Sequence, residues 1–139
     1  VGGLMHESVF YLAGKRALMT GKINLEKDKF RLVLVRDEYE PDVELHKMYK
    51  DITYEASGIG YKKGGVPLTG QRLEEKVDEI HFHADDMKLE ESSIVASAVV
   101  VVHDATDTLL VYSYSYRGRQ ESIEAAFVIQ WSDDGILFI

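Results

Sequence analysis

A chain of 139 residues without a single cysteine has the size of one domain and excludes disulfide frameworks, cysteine-ligated zinc, iron–sulfur centres and thiol catalysis together. Its net charge of -8 repels a phosphate backbone, so no nucleic-acid partner is expected. No stretch approaches the roughly 18 apolar residues that span a bilayer. Residues 1–7 lack the basic tip and apolar run of a signal peptide, so neither a membrane nor a targeting segment is expected.

Taken in order, residues 5–20 carry the pattern of one N-terminal helix. Met5, Val9, Leu12 and Ala13 fall on one face, and Phe10, Ala13 and Ala17 form an overlapping stripe. Gly21 is placed to close it as a left-handed cap, although Gly14 inside it is a poor helix former. The β-rich body is expected over about residues 29–139. Residues 30–36 alternate as a strand, with Phe30, Leu32 and Leu34 on one side. Asp42 is placed to cap a short helix, and Leu45, Met48, Tyr49 and Ile52 at helical spacing predict an apolar side facing the core. Residues 57–70, rich in glycine and broken by Pro67, predict a long structured loop.

Beyond Gly70 the pattern is all strand. Residues 73–77 and 80–84 are candidates, residues 93–103 read as a central strand of Val and Ala, and Tyr112, Tyr114 and Tyr116 share one face of the next. Ile123, Ala125, Phe127, Ile129 and Trp131 share a face before the turn at Asp133, Asp134 and Gly135, and residues 136–139 close the chain. Successive strands joined by turns predict a mainly β, α+β fold. Its expected form is an antiparallel β-sandwich or partial barrel with an N-terminal helix and one short helix.

Three constellations invite chemistry. His81 and His83 with Asp85 and Asp86 have the donors of a divalent-ion site, the basis for an alternative reading as a small metal-dependent β-barrel enzyme. The same alternation makes the two histidines the face opposite Ile80, Phe82 and Ala84, and a solvated strand face is the preferred reading. Residues 58–64 invite a phosphate-loop reading but lack its Gly-Lys-Ser/Thr ending. The tyrosine row suits either a half-buried sheet or a protein interface, and Tyr61 on its glycine-rich loop is a candidate contact for a protein or a glycan. No catalytic, metal or cofactor-binding residue is assigned, and no enzyme activity is expected.

The order of signals resembles a group of small virion structural proteins of tailed bacteriophages. The motifs are Gly-x-Ile-Asn-Leu at residues 21–25, Tyr-x-Pro-Asp at 39–42, His46, and Asp51 with Ile52. A Glu-x-Ser-Gly-x-Gly-Tyr-x-x-Gly-Gly loop follows at 55–65, then Ala-Asp-Asp at 84–86, Ser-Ile-Val-Ala at 93–96 and a Phe-x-Ile-x-Trp ending at 127–131. The resemblance covers nearly the whole chain and implies a non-enzymatic capsid decoration protein, or alternatively a tail or head–tail connector component. It implies major capsid protein or other virion proteins as partners, a homo-oligomer such as a trimer, assembly in the host cytoplasm and a place on the capsid surface. Candidate partner contacts are Phe10, Tyr11, Tyr61, Lys62, Lys63, Tyr112, Tyr114 and Tyr116.

Overall fold

The computed structural model describes residues 2–115 and 117–139, with side chains of the first strand from Ser8 onward. In chain order the elements are β1 (Gly2–Phe10), α1 (Leu12–Met19), β2 (Phe30–Val35), a 3-10 turn (Tyr49–Asp51), β3 (Val66–Pro67), β4 (Arg72–Lys76) and β5 (Glu79–His83). There follow β6 (Met87–Ser92), β7 (Val95–Ala96), β8 (Ala98–His103), β9 (Leu109–Ser115), β10 (Gln120–Glu121), β11 (Ala125–Trp131) and β12 (Leu137–Phe138). The fold is mainly β with one helix, as the strand pattern predicts.

The principal sheet has seven strands in the order β3-β2-β8-β9-β1-β11-β6. All its neighbours are antiparallel except β1 and β11, which run parallel from Gly2 opposite Val128 to Met5 opposite Trp131. Its two edges face each other across a cleft of about 200 Å³, lined by Val66 and Pro67 of β3 and by Met87 and Lys88 of β6. The sheet is therefore curled into a partial barrel. Pro67 sits on an edge strand, where its missing N–H breaks no ladder.

Inside the curl, Leu32, Leu34, Val99, Val101, Phe127 and Ile129 form the main core. A three-stranded sheet, β12-β5-β4, adds Phe82 to it, and the Phe82 ring lies 5.7 Å from that of Phe30. The outer face of β2 and β8 is covered as well. Val33, Val35, Val100 and Val102 pack there with Tyr11 and Tyr39, beneath Val43, Tyr49 and Ile52. Cover on both faces explains why β8 is apolar at five successive positions, Ala98 to Val102.

Three expectations are corrected. The helix begins at Leu12, not at residue 5, because residues 2–10 form a strand paired on both sides, to β9 and to β11. Those two neighbours satisfy the backbone groups that a helix would have satisfied internally. The helix end follows the prediction: Gly21 has φ 76°, its N–H donates to Leu18, and Lys22 N–H donates to Ala17. Gly14 proves to be a packing requirement, since a Cβ there would lie 2.7 Å from the Leu109 carbonyl of β9.

The second correction concerns the expected helix after Pro41. Asp42 does cap a turn, accepting the amides of Glu44 and Leu45 at 3.1 and 3.0 Å. The chain then extends through Lys47 and Met48, since Met48 bridges to Thr108 and Leu109 N–H donates to the Lys47 carbonyl, and the expected helix shrinks to the 3-10 turn Tyr49–Asp51. Leu45 consequently points outward, 72% exposed. The third is smaller. Ile123 lies ahead of β11 and is exposed, while Phe127, Ile129 and Trp131 are buried as expected.

Candidate functional site

Most residues that looked like chemistry are engaged in building turns. Glu55 is the hub of the glycine-rich loop. Its carboxylate accepts the Tyr49 hydroxyl, the Tyr61 hydroxyl at 2.6 Å and the Gly64 amide at 2.9 Å. The Tyr61 hydroxyl accepts the Leu34 amide of β2 at 3.1 Å, and Arg31 Nε donates to the Gly64 carbonyl at 2.6 Å. The Arg31 guanidinium also pairs with Asp107 at 2.7 Å and Asp104 at 3.2 Å, beneath the Tyr49 ring. Burial, followed by hydrogen bonding to Glu55, pushes the Tyr61 hydroxyl far up, and the same two causes push Tyr49 up to about 12. The loop thus anchors its own carboxylate where a phosphate loop would present its N–H groups to an anion.

A second network lies under the outer cover. The Asp42 amide donates to His46 Nδ1 at 3.1 Å, which makes that nitrogen an acceptor. The Tyr39 hydroxyl therefore donates to it at 2.9 Å, and the Tyr11 hydroxyl to Tyr39 at 2.8 Å. Tyr39 and His46 also stack, with ring centroids 5.5 Å apart. In a third network the Asn24 amide, and then His103, hold the Asp28 carboxyl below its usual range.

The histidine pair differs from expectation. His81 is 1% exposed, not solvated. The turn that follows β11 folds over it: Nδ1 meets the Asp134 carbonyl at 2.9 Å, Nε2 meets Glu79 at 3.1 Å, and Phe138 stacks on the ring at 4.9 Å. His83 Nε2 donates to the Asp133 carbonyl at 2.9 Å, and Lys76 Nζ to the same oxygen at 3.0 Å. Asp85 and Asp86 serve Trp131 instead: the indole N–H donates to the Asp85 carbonyl at 3.2 Å and the Trp131 amide to the Asp86 carboxylate at 3.1 Å. Among the described residues no group of three or more His, Asp or Glu side chains could hold a metal ion.

The candidate contacts divide. Tyr11 and Tyr61 are buried and present no ring to a partner, which corrects their placement as exposed contacts. Lys62 and Lys63 are exposed, and Phe10 is half-buried under the Lys15 ammonium, 5.7 Å from its ring centroid. Tyr112 and Tyr114 are half-buried, with Tyr112 packed 6.1 Å from Tyr39 and 6.0 Å from Tyr114. Tyr116 lies outside the described residues.

Sequence reasoning missed two surfaces. Near the Val35 end of β2 two hollows share Ser93: one is lined by Ile123, Glu121 and Arg36, the other by Ile59, Glu91 and Glu124, with Ile59 74% and Ile123 72% exposed. At the Phe30 end, a groove of about 360 Å³ runs between α1 and residues 44–48, edged by Leu12, Arg16, Lys22, Lys47 and Met48. No sequence period marks either patch, because each joins residues from segments distant in sequence.

Fold and surface together define a mainly β scaffold, built from antiparallel sheets, with exposed apolar side chains among charged ones near the two ends of β2. Comparison with protein-family models, with curated proteins and with solved structures finds no match to this chain. No helix of the described residues is long and apolar enough to cross a membrane.

Proposed function

We propose that the chain is a non-enzymatic structural protein of a tailed-phage virion that decorates or cements the capsid by bridging neighbouring major capsid subunits. The observation that carries this reading is the division of labour among its side chains. The motif residues Glu55, Tyr61, Asp85, Asp86, Tyr39 and His46 hold the scaffold's own loops, while Leu12, Met48, Ile59 and Ile123 stand exposed beside charged neighbours. The motif order at residues 21–25, 39–42, 55–65 and 127–131 supplies the virion context. An acidic outer coat has no need to grip packaged nucleic acid, which suits a net charge of -8.

The mechanism is reinforcement of a lattice. Each apolar contact buried at a subunit junction contributes about 25 cal/mol per Å². A scaffold that engages several lattice positions at once converts weak single contacts into firm attachment. Co-sedimentation of purified chain with capsid shells lacking it tests the proposal. Saturable binding that raises the shell's melting temperature is expected. Shells that sediment without the chain at every concentration would overturn it.

A further inference from the structure

The two exposed patches are complementary in charge as well as both apolar. The groove beside α1 carries Arg16, Lys22 and Lys47, with Glu44 as its one carboxylate, around the exposed side chains of Leu12 and Met48. The opposite patch is made of two hollows that share Ser93, one with Glu121 beside Ile123 and one with Glu91 and Glu124 beside Ile59. Arg36 also lines it, but its guanidinium is paired with Glu38 at 2.6 Å. None of the three groove cations and none of the three patch glutamates forms an ion pair among the described residues. The gathered cations of this groove suit an acidic partner surface, and the chain itself offers one.

Their placement sets the kind of assembly. The acidic patch adjoins the end of β2 and β8 where Val35 pairs with Ala98, since Ala56 N–H donates to Leu34 and Ser97 N–H to Val35. The basic groove adjoins the other end, where Phe30 pairs with His103, His103 N–H donates to Thr108, and Thr108 bridges to Met48. Six paired residues separate the two ends, a span of about 20 Å along the strands. Two different patches at opposite ends make head-to-tail contacts, not two-fold ones.

We propose that copies of this chain associate head to tail, the Ile59–Ile123 patch of one seated in the basic groove beside α1 of the next. The contact pairs apolar surface with apolar surface and sets Glu121 and Glu124 against Arg16, Lys22 and Lys47. It strengthens as salt is lowered, because rim charges are screened by ions. The inference deepens the coat-protein reading and rests on it for its purpose, but its test uses purified chain alone.

Analytical ultracentrifugation of three proteins decides it. One is the wild type, the second carries Ile59→Asp and Ile123→Asp, and the third carries Leu12→Asp and Lys47→Glu. All four positions are exposed, and circular dichroism checks that the folds are kept. The wild type is expected to form oligomers that shrink in high salt, and each variant alone to be a monomer. A one-to-one mixture of the variants, having one intact groove and one intact patch, is expected to form a dimer and stop there. A wild type that stays monomeric at low salt, self-association that persists in either variant, or a mixture that remains monomeric would overturn the proposal. A chain missing from purified particles would remove the virion reading and leave the measured self-association standing.

Discussion

The Tyr61 hydroxyl joins two parts of the chain, donating to the Glu55 carboxylate at 2.6 Å while accepting the Leu34 amide from β2. One buried side chain thereby ties the glycine-rich loop to the main sheet. Tyr61→Phe keeps the ring but leaves the Leu34 amide unpaired and Glu55 short of a donor. An unfolding free energy lower by about 1–3 kcal/mol is expected, a buried unsatisfied group being the cause. Urea denaturation measures it, and wild-type stability would contradict the tie.

The same hub predicts alkaline sensitivity. Burial and Glu55 raise both tyrosines above the ordinary value of 10, with Tyr49 at about 12. A hydroxyl whose folded pKa exceeds its unfolded one keeps its stabilising contribution below pH 10, and loses it as pH climbs toward 12. Absorbance of tyrosinate should therefore lag behind that of free tyrosine and rise together with loss of the β signal. Complete titration near pH 10 in a chain that remains folded would be the contrary result.

Gly14 supplies a prediction against helix propensity. Alanine is the better helix former by about 1 kcal/mol, but its Cβ would meet the β9 backbone at Leu109 and Leu110 within 2.8 Å. Gly14→Ala should lower stability by about 1–3 kcal/mol, the usual cost of overpacking. A gain in melting temperature would mean that α1 can lift from β9 freely.

His81 and His83 should behave differently, although their spacing makes them look equivalent. His81→Ala removes a ring that is hidden between the turn after β11 and Phe138, and with the ring go the hydrogen bonds to Glu79 and Asp134. About 1–3 kcal/mol is the expected cost. His83→Ala gives up one hydrogen bond at a more open position, that to Asp133, and should cost less. Equal and negligible effects in thermal melts would restore the solvated-face reading.

Trp131 is buried at the end of β11 and its indole N–H is satisfied by Asp85. Trp131→Ala should cost about 3–5 kcal/mol, measured by the same urea titration. An unchanged midpoint would place the tryptophan outside the core.

Much of the sheet was legible because its period is local. The alternation in β2, the continuous valines of β8 and the Phe127–Ile129–Trp131 row each report one face or two faces of burial within a few residues. What sequence missed depends on distant partners. Residues 5–10 fit a helical stripe, yet two neighbouring strands claim their backbone. Residues 45–52 have helical spacing, yet the Thr108 bridge at Met48 interrupts them, and only Tyr49–Asp51 coil, as one 3-10 turn. Nothing near His81 announces that a turn about fifty residues later, at Asp133 and Asp134, will cover it. The exposed apolar surfaces were hidden for the same reason, since Ile59 meets Ser93 only through folding.

The most direct test of the central claim is the copy number of this chain in a purified phage particle, counted by quantitative mass spectrometry beside the major capsid protein. A coat that bridges capsid subunits predicts a number comparable to that of the shell protein itself. A chain missing from the particle, or present only at the few copies of a connector ring, would contradict it.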